Sequence, residues 1–302
     1  MSAQYEFGQV ITAMVTPFTP DGELYLDGAR ALAHWLTAAT RSDGLVINGT
    51  TGESATTSDD EKTELIRAVV DAVEPGVRVI AGVGSSDTRH SIELARRAEA
   101  AGAHGLLVVA PYYSRPSQEG LLRHFRAVAD ATPLPVMLYD VPRRTGVAVD
   151  PATLVRAAEH ERIRAVKDAK GDLESSSWVM RRSALHYYSG EDALNLPLLS
   201  IGAVGFVSVA AHIAGDQLRV MLSSFCSGDV GRAREVHNRL LPVYKGLFRA
   251  PAVALTKAAL NIRSFPAGPV RAPLVDATAA ERETLRADMD AAGVLRVEPV
   301  AV

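Results

Sequence analysis

Cys226 is the only cysteine among 302 residues, so no disulfide can form within the chain, and a reducing compartment is expected. It follows Phe225 on an expected helix, where a packing role fits better than a nucleophilic one. There is no basic run or stripe: the net charge is −3 with both signs interspersed, which argues against nucleic acid or an anionic membrane as partner. No apolar run approaches the ~18 residues that a bilayer span requires. Met1 to Val10 also lacks the basic-then-apolar order of a secretion signal. The expectation is a soluble, cytoplasmic protein.

What is present is a regular alternation. With 47% hydrophobic residues the chain can bury a barrel-sized core. Short β-favouring runs fall at Val10-Met14, Gly44-Ile47, Arg78-Ala81, Gly105-Val109, Pro135-Tyr139, Ile163-Lys167, His186-Ser189 and Gly205-Ser208. Amphipathic stretches separate them, among them Asp27-Ala39, Glu61-Val73, Thr88-Ala101, Gln118-Ala131, Pro151-Glu159 and Ser175-Ser183. Asp59, Ser117 and Asp150-Pro151 stand at helix starts as cap residues. Eight strand–helix units of this kind imply an α/β fold, a (β/α)8 TIM barrel, over residues 1-230. Asp229-Leu247, Val253-Asn261 and Thr278-Ala292 read as helices with no strand between them, so residues 231-302 form a C-terminal helical extension.

Barrels of this kind carry their chemistry at the carboxyl ends of the strands. The sixth expected strand ends on Lys167, where apolar neighbours lower an amine's pKa and leave the neutral form that attacks a carbonyl. A lysine that merely caps a strand and reaches solvent fits the same stretch. After the second strand, Asn48-Gly49-Thr50-Thr51-Gly52-Glu53-Ser54 offers backbone amides and hydroxyls to a carboxylate, or is a generic turn. No lysine follows Gly52, so it is not a nucleotide-binding Walker loop, and no dinucleotide glycine pattern follows the first strand. Tyr112-Tyr113 lies in a proline-bounded loop that suits packing or an interface. Tyr139 ends the fifth strand, placed to relay a proton; of Arg143 and Arg144 beyond it, one can grip a carboxylate while the other is solvated. The seventh strand ends Tyr188-Ser189-Gly190-Glu191-Asp192 and the eighth contains Phe206-Val207-Ser208; both offer backbone groups near the mouth. His104 and His186 begin strands, five further histidines lie on or beside helices, and only His212 is near the mouth; a metal is disfavoured.

Gly49-Thr50-Thr51-Gly52-Glu53, Tyr139-Asp140-Val141-Pro142-Arg143-Arg144-Thr145-Gly146 and Val166-Lys167-Asp168-Ala169 together resemble the pyruvate-dependent class I aldolases. Within them the chain is similar, over nearly its whole length, to the dihydrodipicolinate synthase family. That resemblance implies an imine between Lys167 and pyruvate, which then condenses with L-aspartate 4-semialdehyde, with no cofactor. It implies a proton relay of Tyr139, Thr51 and Tyr113, the last inserted from a neighbouring subunit of a homotetramer built as a dimer of dimers. Thr50 and Thr51 would hold the pyruvate carboxylate, Gly190 and Val207 would line the pocket, and Arg144 would take the semialdehyde's carboxylate. Arg144 argues against the sister aldolases that cleave N-acetylneuraminate or 2-keto-3-deoxy sugar acids. The presence of Lys167, Thr51, Tyr113 and Tyr139 argues against a silent keto-acid-binding paralogue. Two departures from the family stand out. Asp140 replaces a common asparagine. Asp59, Lys62, Ser86 and His90 replace residues that bind inhibitory lysine in relatives, so feedback inhibition by L-lysine is expected to be weak or absent.

Overall fold

The computed structural model describes residues 5–295. Eight strands run parallel and close on themselves in sequence order: β1 (Val10–Ala13), β2 (Gly44–Ile47), β3 (Arg78–Gly82), β4 (Gly105–Val109), β5 (Val136–Asp140), β6 (Ile163–Asp168), β7 (His186–Ser189) and β8 (Gly205–Ser208), with β8 paired back to β1. The expected (β/α)8 barrel is borne out. β5 starts one residue later than expected because Pro135 has no N–H to donate; the ladder's first amide there is that of Val136, given to the Arg162 carbonyl at 2.7 Å.

The helices are α1 (Leu26–Ala38), α2 (Asp59–Ala72), α3 (Thr88–Ala100), α4 (Gln118–Asp130), α5 (Pro142–Thr145), α6 (Pro151–Ala157), α7 (Leu173–Arg182), α8 (Asn195–Ser200), α9 (Ala211–Cys226), α10 (Val230–Gly246), α11 (Ala252–Ile262) and α12 (Ala279–Ala291). Ser117 accepts the Gly120 amide at 3.3 Å, as a cap should. At α2 the cap is Ser58 and not Asp59. Ser58 and Glu61 bond each other's backbone reciprocally and so form a capping box. Cys226 is the last residue of α9 and is exposed, so the packing role expected of it is not met.

Strand side chains alternate between two apolar layers. Leu45, Ile47, Val79, Ala81, Leu106, Val108, Leu138 and Val166 pack outward against the helices. Val46, Ile80, Leu107, Met137, Tyr139, Ala165, Tyr188 and Val207 fill the interior, and α10, α11 and α12 bring Leu240, Leu255 and Met289 into the same apolar cluster. Lys167 shares the parity of Ala165, two residues earlier on β6. It therefore points inward at the strand's carboxyl end.

Candidate active site

The register of the barrel brings the expected residues together. Tyr139 on β5 and Lys167 on β6 are direct partners, and Lys167 is in turn opposite Tyr188 on β7. Lys167 is only 6% exposed, and its Nζ lies 4.2 Å from the centroid of the Tyr139 ring. Burial is the largest influence on the amine and pushes its pKa down to about 8; Arg144 pushes the same way, and Asp192 opposes them. An amine of that pKa is neutral in roughly one molecule in ten at pH 7, against roughly one in three thousand for an ordinary lysine.

Gly190 makes this placement possible. A Cβ there would stand 2.9 Å from Lys167 Cγ and 3.1 Å from Cε, so only glycine leaves room for the lysine stem. Its amide is held by the Asp168 carbonyl at 2.7 Å. Val207, 1% exposed, joins the same interior apolar cluster from β8.

Tyr139 is almost fully buried, and its pKa is pushed up to about 12 by burial; the Arg144 guanidinium and the Thr50 side chain pull it back down. Arg144 is exposed on α5, one turn of helix that begins at Pro142 directly after β5. Across from it, Glu191 is raised above the usual carboxylate range by burial and eased back by Arg143 and Arg144. One mouth thus gathers an amine poised to be neutral, a phenol, a hydroxyl and a cation able to take a carboxylate. That set suits addition to the carbonyl of an anionic substrate.

Thr51 is buried and Thr50 exposed in the loop after β2, which opens at Asn48 (φ 59°) and closes at Glu53 (φ 56°), both left-handed. It is Thr50, and not Thr51, whose side chain reaches Tyr139. Tyr113 is not brought to the mouth within one chain. It is 93% exposed, with φ 73°, beside the 41% exposed Tyr112. His212 lies just beyond the carboxyl ends of β8 and β1 and is fully buried. Its Nε2 accepts the Val15 amide at 3.1 Å and its Nδ1 donates to the Val209 carbonyl at 2.8 Å, and burial lowers its pKa to about 4. Among the described residues no three His, Cys, Asp or Glu side chains gather as metal ligands, and no helix is long and apolar enough to cross a membrane.

Asp192, at the end of the Tyr188-Ser189-Gly190-Glu191-Asp192 stretch, holds a place in the site that no sequence motif assigns it. It opens a single 3-10 turn (Asp192–Leu194), and its buried carboxylate takes the Val209 and Ala210 amides at 3.0 and 2.9 Å and the Ser208 hydroxyl. The only signal was an acidic pair just past a strand end.

Residues 6–292 match the model of the dihydrodipicolinate synthetase family. The 4-hydroxy-tetrahydrodipicolinate synthase of Acidothermus cellulolyticus is 63% identical over 287 residues, covering 95% of this chain and 93% of that protein. The 4-hydroxy-tetrahydrodipicolinate synthase 2 of Streptomyces coelicolor is 59% identical, covering 96% and 97%. Among solved structures, a DHDPS from Cyanidioschyzon merolae with lysine bound superposes with a TM-score of 0.94 at 42% identity, covering 96% of this chain and all (100%) of that one.

Proposed function

The chain belongs to the dihydrodipicolinate synthetase family, and on that footing we infer that it makes 4-hydroxy-tetrahydrodipicolinate from pyruvate and L-aspartate 4-semialdehyde. It is a lyase of the class I aldolase type and serves diaminopimelate and lysine biosynthesis. The observation that carries the mechanism is the buried Lys167 amine, with its pKa near 8, beside Tyr139.

Neutral Lys167 adds to the pyruvate ketone, and loss of water leaves the imine. A proton leaves the methyl carbon and gives the enamine, whose carbon attacks the aldehyde. The amine of the former semialdehyde then closes on the imine carbon and releases Lys167. Tyr139 carries protons in these steps with Thr50, which takes the place expected of Thr51, and with a partner's tyrosine; Thr50 and Thr51 hold the pyruvate carboxylate; Gly190 and Val207 line the pocket; Arg144 takes the second carboxylate. The imine itself is the electron sink, so no cofactor enters this reading.

A cytoplasmic homotetramer, a dimer of dimers, completes it. The almost naked Tyr113 beside Tyr112 supports insertion of that side chain into a neighbouring subunit. Weak or absent inhibition by L-lysine is also part of the proposal. Its support is that Asp59 is already shared by His90 at 2.9 Å and Lys62 at 4.0 Å, while Lys62 is buried and bonded to the Thr57 carbonyl. Micromolar inhibition in a kinetic assay contradicts that part alone.

The test is reduction with borohydride in the presence of pyruvate, peptide mapping by mass, and then a coupled assay with the semialdehyde. The expected result is one added three-carbon acid on Lys167 and turnover of the semialdehyde. Labelling elsewhere, or none, overturns the mechanism.

A further inference from the structure

Glu53 closes the Thr50–Thr51 loop, and its side chain is 1% exposed. Its Oε1 accepts from Lys257 Nζ at 2.7 Å, and its Oε2 accepts the Arg271 backbone amide at 2.8 Å. Both partners belong to the C-terminal part of the chain. Lys257, on α11, is itself 2% exposed; it also donates to the Pro269 carbonyl at 2.6 Å and stands 4.4 Å from the Phe18 ring centroid.

The loop depends on where Glu53 is held. The Gly52 amide is given to the Gly49 carbonyl at 3.0 Å and the Glu53 amide to the Thr50 carbonyl at 3.2 Å. These two bonds set the direction of Thr50 and Thr51. Non-glycine residues at positive φ, here Asn48 and Glu53, persist only where their surroundings hold them. The Arg271 guanidinium fastens the same region: it donates to the Gly22 carbonyl at 2.8 Å and the Thr56 carbonyl at 2.9 Å, and it pairs with Glu61 of the α2 capping box. Gly268 lets this segment lie against the loop after β1. Its φ is +73°, and a Cβ there would sit 1.8 Å from the Phe18 carbonyl oxygen.

We propose that Lys257 is a positioning residue for the reaction: through Glu53 it fixes the turn that presents Thr50 and Thr51, so the C-terminal helices set the grip on the keto acid. A buried acid–base pair is weak evidence for stability as such. This one joins residues 204 apart in sequence, directly behind the loop that meets substrate.

The inference deepens the function proposed above and rests on it for the roles of Thr50 and Thr51. Lys257→Met removes the charge at similar volume. Glu53→Gln removes the charge but keeps an acceptor for the Arg271 amide. Each variant is compared with the wild type for hydrogen exchange at the Gly52 and Glu53 amides, for the pyruvate concentration that half-saturates borohydride trapping, and for the KM of the semialdehyde. Both amides should exchange faster, and the pyruvate requirement should rise roughly ten- to a hundredfold. The semialdehyde KM should hold within about threefold, and the double variant should be no worse than the poorer single one. Amide exchange and pyruvate requirement left unchanged, in variants that merely melt earlier, overturn the proposal. If the wild type itself fails to trap pyruvate, the function reading fails, while the exchange rates still decide the positioning. Should Lys257→Met not fold, Glu53→Gln gives the same two readings.

Discussion

Arg144 stands beside two groups and favours the deprotonated form of each. Its charge eases ionisation of the Tyr139 phenol and disfavours protonation of Lys167. Arg144→Ala should therefore lower kcat/KM for the semialdehyde about a hundredfold or more while pyruvate trapping persists. The pH profile of trapping should also move upward, because one influence that keeps Lys167 neutral is gone. Near-normal turnover by the purified variant contradicts the role given to Arg144. Lys167 and Gly190 were legible in the sequence because each marks a strand end in a fold whose chemistry sits there. Asp192 and the Glu53–Lys257 pair were not. Their meaning lies in contacts between distant stretches, and no local pattern encodes a hydrogen bond from α11 to the loop after β2.

The end of β5 carries a cost of its own. Asp140 alternates with Tyr139 and points away from the barrel axis, where its Oδ1 accepts the Val149 amide at 3.2 Å and so ties the strand to the approach of α6. Burial raises its pKa to about 6; Lys170, 3.7 Å away, pulls it back only in part. The folded protein thus binds this proton more tightly than the unfolded chain does. The charged carboxylate costs stability above about pH 6, and that cost disappears as the pH falls through about 4. Asp140→Asn keeps the bond to Val149 and should stabilise the protein by about 1–3 kcal/mol at pH 8, with the gain shrinking between about pH 6 and pH 4. Denaturant unfolding at several pH values measures this; a variant less stable than wild type at pH 8 contradicts it. Element boundaries were legible to within a residue or two where a cap or proline marks them, as at Ser117 and Pro151. α8 was not, because six residues with Pro197 inside show no amphipathic repeat.

The whole molecule supplies what no single element can. Eight strands exclude water from Lys167, helices α10 to α12 extend the same core, and yet Tyr113 faces outward. If Tyr113 acts in a neighbouring subunit, mixing Tyr113→Phe chains with Lys167→Ala chains and allowing exchange should restore activity that neither has alone, in about a quarter of the sites for a tight dimer. No recovery after proven exchange contradicts the shared site. The barrel's desolvation of one amine is the central claim, and the pH dependence of covalent labelling tests it most directly. With radiolabelled pyruvate and a hydride reductant, the rate of fixation on Lys167, followed from about pH 6 to about pH 10, should climb and level off around pH 8. A rate still rising tenfold per unit beyond pH 9, as for an ordinary lysine, contradicts the account, and so does label on any other residue.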